Sequence, residues 1–389
     1  MLFRFSLVAL AFAAAVPLAN AQNSNQGVSA TEITLGSIQD LSGPIAGFGK
    51  QSRLGMVLAV DEINEQGGIN GRKIKLIVED AQYDPKKAVL AAQKLVNQDK
   101  IFAMLGHIGT AGNMAAMPVQ FEKNVINFFP ITAAREMYEP LHRLKYSFAA
   151  TYYDQMRNAL PQTVKEKAAK KVCIIYQDDD FGLEVLRGAE AGLKTINMEL
   201  AEKTSFKRGA TDFSSQVAKM KSSSCDLVVM GTIIRETIGT IGEARKTGFN
   251  PVFFGSSAAY PHLIHALGGP AMNGLYATHT SQHPYLDDAS PQVRFWAAKY
   301  KTKFNEDPTV FSVYGYVIVD TFIKAAAKAG KNLTTDSFVK AMDTMVIPAD
   351  MFGSAAASYT PTKHLGSDAS RLSQIVDGKW KVVSDYAKK

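Results

Sequence analysis

Short apolar runs alternate with longer amphipathic stretches along most of this chain. Residues 33–38, 74–78, 101–105 and 125–129 have strand length, and several are apolar throughout, as expected of strands covered on both faces. Between the first two, Met56, Val60 and Ile63 fall on one helical face. After the second, Asp84-Pro85 supplies an N-cap with proline at the first helical position, and Val89, Ala92 and Val96 continue the helical period. Strand, helix, strand, helix in this rhythm predicts a parallel sheet with helices on both sides.

The rhythm then begins again. Residues 172–176, 200–205, 227–230 and 252–254 read as strands, and 181–194, 212–221 and 236–246 as the helices between them. Two similar units in tandem predict an α/β protein of two lobes with parallel sheets. Helical stretches at 291–304 and 315–329 do not complete a third unit and read as returning to the first lobe. The expected division is 22–149 plus 277–353 for lobe 1 and 150–276 plus 354–389 for lobe 2. Crossings near 148–151, 274–280 and 351–360 would make a three-strand hinge. In open sheets of this kind ligands bind beyond the carboxyl ends of the strands, so two facing lobes define one cleft closed by hinge bending.

The first residues change the expected compartment. Arg4, an apolar run at 7–19 and the small-x-small triplet Ala19-Asn-Ala21 form a secretory signal over 1–21, cut before Gln22. The run is too short to span a membrane, no later segment is expected to, and no lipidation cysteine follows, so a soluble periplasmic protein is expected. Removing the signal lowers the net charge of +7 by one. The remaining excess is spread along the chain, which argues against nucleic-acid binding. Only Cys173 and Cys225 are present, too few for a disulfide scaffold and outside any metal spacing. Both lie near the starts of strands that read as neighbours; the bridged and the free state both fit.

Candidate chemistry sits in the loops after the strands. Gly106-His-Ile-Gly109-Thr-Ala-Gly112 is spaced GxxGxxG, not GxGxxG, follows the third strand and lacks a phosphate-loop lysine. Two readings remain: exposed amides at a helix N-terminus with the Thr110 hydroxyl, forming a small site for a carboxylate, or a glycine turn needed for close packing. No G-x-S-x-G or H-E-x-x-H motif occurs, and no nucleophile, base and acid converge, so neither an enzyme nor a cofactor is expected. His107 reads as a packed histidine rather than a base. His262 and His265 stand at i and i+3 without an acidic or cysteine partner nearby, which makes a surface pair, and no metal is expected. Asp178-Asp-Asp180 reads as a solvated loop. Phe48, Tyr152, Tyr153, Phe181 and Tyr260 all fall where the cleft is expected and together suggest flat apolar walls.

Ile38-Gln-Asp-Leu-Ser-Gly-Pro44, Asp61-Glu-Ile-Asn-Glu-Gln-Gly-Gly-Ile-Asn-Gly71, Asp84-Pro85, Gly106-His107 and Pro130-Ile-Thr-Ala133 resemble the branched-chain amino acid-binding branch of the type I periplasmic solute-binding proteins of ABC transporters. The resemblance spans nearly the whole chain after residue 21. It implies two Rossmann-like lobes and a monomeric, non-enzymatic receptor that delivers a small solute to inner-membrane permease subunits. It also implies a carboxylate grip at Gly109, Thr110 and Ala111 and at Ile131, Thr132 and Ala133, with the second threonine displaced by one. Ile233 and Arg235 stand in a second-lobe cleft loop; Arg235 either adds positive charge there or lies on the surface. Where amino acid binders of this family carry acids for the ligand ammonium, this chain has Tyr152 and Ser257. The family's stacking tyrosine corresponds to Phe181 and its first-loop aromatic to Phe48. Tyr83 and Gly109 replace a cysteine pair sometimes found there. An ammonium buried without a counter-charge costs several kcal/mol. The expected ligand is therefore an organic carboxylate, most simply an aromatic one such as a benzoate, phenylacetate or hydroxycinnamate. A branched-chain amino acid, urea, a short amide, or a sensory role presenting a ligand are the alternatives.

Overall fold

The computed structural model describes residues 26–385, so the expected signal segment lies outside the described residues. Lobe 1 is built on strands β1 (Glu32–Gln39), β2 (Lys73–Asp80), β3 (Ala103–Leu105), β4 (Ile126–Phe128) and β5 (Lys145–Tyr146), with helices α1 (Ala46–Glu65), α2 (Pro85–Gln93) and α3 (Thr110–Phe121) between them. The strands are parallel and ordered β2-β1-β3-β4-β5. Asp84 caps α2 by accepting from the amides of Lys86 and Lys87, and Pro85 follows as the sequence predicts.

Lobe 2 opens with α4 (Tyr152–Glu166) and continues through β6 (Val172–Gln177), α5 (Asp180–Lys194), β7 (Leu200–Phe206), α6 (Ser214–Ser222), β8 (Leu227–Gly231), α7 (Ile234–Lys246), β9 (Val252–Gly255), α8 (Leu263–Gly268) and β10 (Tyr276–His279). The chain returns to lobe 1 for α9 (Pro291–Phe304), α10 (Val310–Ala329) and α11 (Thr335–Met342), then forms the small ladder of β11 (Val346–Ile347) and β12 (Ala357–Ser358). A final antiparallel hairpin, β13 (Arg371–Val376) and β14 (Lys379–Ser384), extends the second sheet, whose order is β14-β13-β10-β9-β8-β6-β7. The five parallel strands of each lobe repeat one order, so each sheet has its switch point beside its first strand. Cys173 in β6 and Cys225 just before β8 are bridged, with Cα atoms 5.9 Å apart.

Two expected boundaries move. β10 pairs with β9 and β13, which puts residues 276–279 in the second sheet and the crossing after them, not across 274–280. The third crossing lies beyond residue 366 rather than at 351–360. Tyr359 stacks on Phe129 and donates to the Ser147 carbonyl, Ser147 donates to the His364 carbonyl, and Gly366 donates to the Ser147 carbonyl, which keeps this segment against lobe 1.

Helix α10 begins five residues earlier than its glycine suggested. Thr309 caps it in a capping box with Ser312. Gly315 sits inside it because α1 and α10 touch backbone to backbone: a Cβ on Gly55 would lie 2.0 Å from the Ser312 carbonyl oxygen, and one on Gly315 would lie 2.0 Å from that of Ser52. Although α10 is long and apolar enough to cross a membrane, contrary to the expectation from the sequence, 67% of its apolar window is buried inside the protein. It is the core helix of lobe 1.

Buried histidines give the fold an acid sensitivity. His107, at the end of β3, is 1% exposed and its ring nitrogens have no hydrogen-bond partner; burial pushes its pKa down to about 3. The folded protein therefore holds it neutral, while the unfolded chain protonates it near 6.5.

Two outcomes follow from this packing. Gly315→Ala should lower stability by about 1–3 kcal/mol through overpacking, whereas Gly242→Ala in α7, which has open space around it, should be neutral or slightly stabilising; urea or thermal unfolding reads both. The contribution of neutral His107 is complete above pH 6.5 and is lost as pH falls toward about 3. The urea midpoint should drop steadily from pH 6.5 to 4.5, and His107→Gln should make that slope shallower, by at most about 1.4 kcal/mol per pH unit.

Candidate functional site

The carboxyl ends of the two sheets face each other across a cavity lined from both lobes. Its first wall comes from the loop after β1. The Asp40 carboxylate accepts from the amides of Gly43 and Ile45 (2.5 and 2.8 Å), which folds the loop and starts α1 with Ile45 and Phe48 turned to the cavity. Phe48 stacks on Phe311 at 4.0 Å between centroids, and Tyr314 meets Phe311 and Phe148 edge-on. The hydroxyl of Tyr314 is hydrogen-bonded to Thr280, and burial pushes its pKa up to about 12.

The polar end lies where the loops after β3 and β4 run side by side. Ile108 and Ile131 form a parallel bridge, with Gly109 donating to the Ile131 carbonyl (3.2 Å) and Ile131 to that of His107 (3.0 Å). This pairing sets Thr110 beside Thr132, their hydroxyl oxygens 2.6 Å apart. The one-residue displacement of Thr132 thus does not remove it from the cavity. Gly109 has φ +91° at the head of α3, and a side chain there would come within 2.9 Å of the Tyr83 ring, so only glycine serves. As no side chain caps α3, its leading amides and the positive end of its dipole meet the cavity unopposed.

Tyr152 completes this polar end. Thr151 caps α4, and the Tyr152 amide donates to the Ala133 carbonyl at 2.6 Å, tying lobe 2 to lobe 1 at the first crossing. Its hydroxyl is hydrogen-bonded to Thr132, its pKa is raised by burial, and its ring meets Phe181 edge-on at 5.0 Å. Ser257 lines the opposite side. Gln155, fully buried, accepts from the Ser257 amide and the Thr278 hydroxyl and donates to the Ser257 hydroxyl and the Ala150 carbonyl. The polar groups on this side thus belong to a neutral amide and hydroxyl network. Among the described residues lining the cavity there is no Asp, Glu, Lys, Arg or His.

Phe48, Gly109, Thr110, Ile131, Thr132, Ala133, Tyr152, Phe181, Ile233 and Ser257 line this cavity together. Two candidates do not. Ala111 is the second residue of α3, and its side chain is not in the lining. Arg235 points outward and pairs with Glu236 at 3.6 Å, because α7 starts at Ile234 and the buried Ile233 and Ile234 take the inner face. Of the other aromatics, Tyr153 lies under the Arg135 guanidinium (3.9 Å), and Tyr260 stacks on His279 (4.3 Å) inside lobe 2. His265 is buried, whereas His262 is half-buried and packs against His283, so the pair is only partly at the surface; no group of three or more His, Cys, Asp or Glu among the described residues is placed to hold a metal ion. Asp179 is more than solvated loop, since it caps α5 and binds Arg208 at 2.6 Å.

Sequence reasoning missed Tyr83, Phe148, Thr280, Phe311 and Tyr314 in the lining. Tyr83 could have been found, because its loop follows the carboxyl end of β2 as the other site loops follow theirs. Phe311 and Tyr314 were hidden by placing the start of α10 after them.

Comparison with known proteins agrees with this architecture. Residues 32–379 match the periplasmic binding protein family. An amino acid binding protein of Pseudomonas aeruginosa is 27% identical over 323 residues, covering 81% of this chain and 84% of its own. The Leu/Ile/Val-binding protein of Escherichia coli K12 is 26% identical over 270 residues, covering 69% and 73%. Among solved structures, a fatty acid ABC transporter substrate-binding protein from Thermomonospora curvata has a TM-score of 0.86 at 23% identity, covering 94% of each chain. The chain therefore belongs to the periplasmic binding protein family and is related to its Leu/Ile/Val-binding proteins.

Proposed function

We propose that this protein is the solute receptor of an ABC importer, working with inner-membrane permease subunits, and that its lobes close on a small organic acid with a flat aromatic body. The observation that carries this reading is the distribution of polarity in the cavity. Hydroxyls of Thr110, Thr132 and Tyr152 gather with the leading amides of α3 at one end, and no acid stands in the lining among the described residues. The Tyr152 and Tyr314 hydroxyls are protonated at neutral pH, as tyrosines ordinarily are, and burial raises their pKa values further, so they can donate. A carboxylate is served by such donors and by the helix dipole. An ammonium there would lose its hydration with only neutral acceptors in return. The faces of Phe48 and Phe311 and of Tyr152 and Phe181 suit a planar apolar body. The fold itself does not choose between solutes, since structures similar to this one come from proteins described both as fatty acid binders and as binders of valine.

A thermal-shift screen of the protein against benzoate, phenylacetate, 4-hydroxycinnamate, leucine, valine and urea discriminates the readings, because a ligand of the folded state raises the melting temperature. An aromatic acid should give the largest shift. A shift by leucine or valine with none by any organic acid would sink the proposal in favour of an amino acid receptor. Thr110→Val should then weaken binding of the best acid by about 1–3 kcal/mol in calorimetry, the value of a hydrogen bond to a charged group; unchanged affinity would remove Thr110 from the site.

A further inference from the structure

The two sheets are joined near β5 and β10, and the strands farthest from those crossings are β2 in lobe 1 and β7 in lobe 2. Hinge motion separates these outer edges most. It is there that one residue of lobe 1, in the loop after β2, is gripped in three ways by lobe 2, from the end of β6 and the loop after β7. Arg208 donates through Nη1 to the Tyr83 carbonyl at 2.7 Å, and its guanidinium lies 4.5 Å over the Tyr83 ring. Gln177 Nε2 approaches the Tyr83 hydroxyl at 3.4 Å. Asp179 closes the circle within lobe 2, accepting from Arg208 Nη2 at 2.6 Å and from Gln177 Nε2 at 2.5 Å.

The lobe 1 side of this contact is held in an unusual backbone. Gln82 and Tyr83 are both left-handed, with φ of 52° and 55°, a conformation that costs non-glycine residues free energy. One carboxylate and one backbone hydrogen bond hold the loop in it: the Asp80 carboxylate accepts from the amides of Leu41 and Gln82, and the Asp84 backbone amide donates to the Ala81 carbonyl. This backbone presents the Tyr83 carbonyl to Arg208 and lays the ring over Gly109, where it forms a wall of the cavity. The same side chain is thus part of the binding site and of the contact that exists only while the lobes are together.

We propose that Tyr83 and Arg208 form a latch that holds a closed population of the receptor without help from the solute, with Tyr83 as the positioning residue that couples the cavity wall to closure. Asp179 and Gln177 keep the guanidinium aimed when the lobes part, so closing finds Arg208 already oriented. The latch rests on the two-lobe receptor architecture and is independent of which solute enters. Arg135 and Glu184 also cross between the lobes, but Arg135 packs on Tyr153 beside the first crossing, near the pivot, where opening moves little.

Small-angle X-ray scattering of the ligand-free protein tests this directly. Arg208→Ala should shift the ensemble to a larger radius of gyration, with the closed population reduced roughly tenfold or more, as loss of a charge-assisted hydrogen bond predicts. Arg208→Gln, a milder change, should shift it in the same direction. Lys207→Ala, which removes only a pair with Asp178 inside lobe 2, should leave the curve unchanged. Tyr83→Leu, which keeps the carbonyl but loses the aromatic face, should fall between wild type and Arg208→Ala. Scattering of folded Arg208→Ala and Arg208→Gln that superimposes on wild type overturns the latch. Since no solute is present, a latch confirmed in a protein that ignores every aromatic acid would refute only the carboxylate reading, and the converse result would refute only the latch.

Discussion

The approach of α1 and α10 is the contact on which the site depends. With no side chain at Gly55 or Gly315, each helix meets a carbonyl oxygen of the other at a distance that excludes even a methyl group. That contact returns the chain to lobe 1 after β10 and so requires it to cross between lobes more than once. It also sets Phe48, near the start of α1, face to face with Phe311, in the first turn of α10. The aromatic wall of the cavity is thus a by-product of two glycines buried several residues away.

A second constraint is electrostatic. Among the described residues, every ionisable side chain except tyrosine is kept out of the cavity lining, while Asp40, Asp179, Glu184 and Arg208 work close by as capping, loop-folding or cross-lobe groups. Charge is spent on geometry rather than on the ligand. In the reading proposed above, such a site would discriminate by hydration: a solute with one polar end would recover its lost hydrogen bonds at the Thr110 and Thr132 hydroxyls, and one with two opposed charges would recover half.

Much of the fold was legible because parallel strands buried on both faces are nearly unbroken apolar runs, as in Val172-Cys-Ile-Ile-Tyr176 and Leu227-Val-Val-Met230. Loops at the carboxyl ends of such strands are legible from the same pattern, which is why the sequence already points to Thr110, Thr132 and Phe181, all of which lie in the cavity lining. What local pattern could not reveal was tertiary. Gly315 reads as a helix breaker until Ser52 is seen opposite it, so the helix start and with it Phe311 and Tyr314 were lost. Arg235 reads as a cleft residue until the two buried isoleucines before it fix the phase of α7. The strand β10 is short and continues into a crossing, and only its partners β9 and β13 assign it to the second sheet.

The bridge between Cys173 and Cys225 has a consequence for how the protein matures. These are the only cysteines in the chain and both are consumed, so oxidation has a single intramolecular product. No wrong pairing within one molecule exists to be reshuffled, and no thiol is left over to join two molecules. Oxidation within one molecule therefore requires an electron acceptor but no reshuffling, and the staple links β6 to the residue leading into β8, the strands on either side of the switch point of lobe 2.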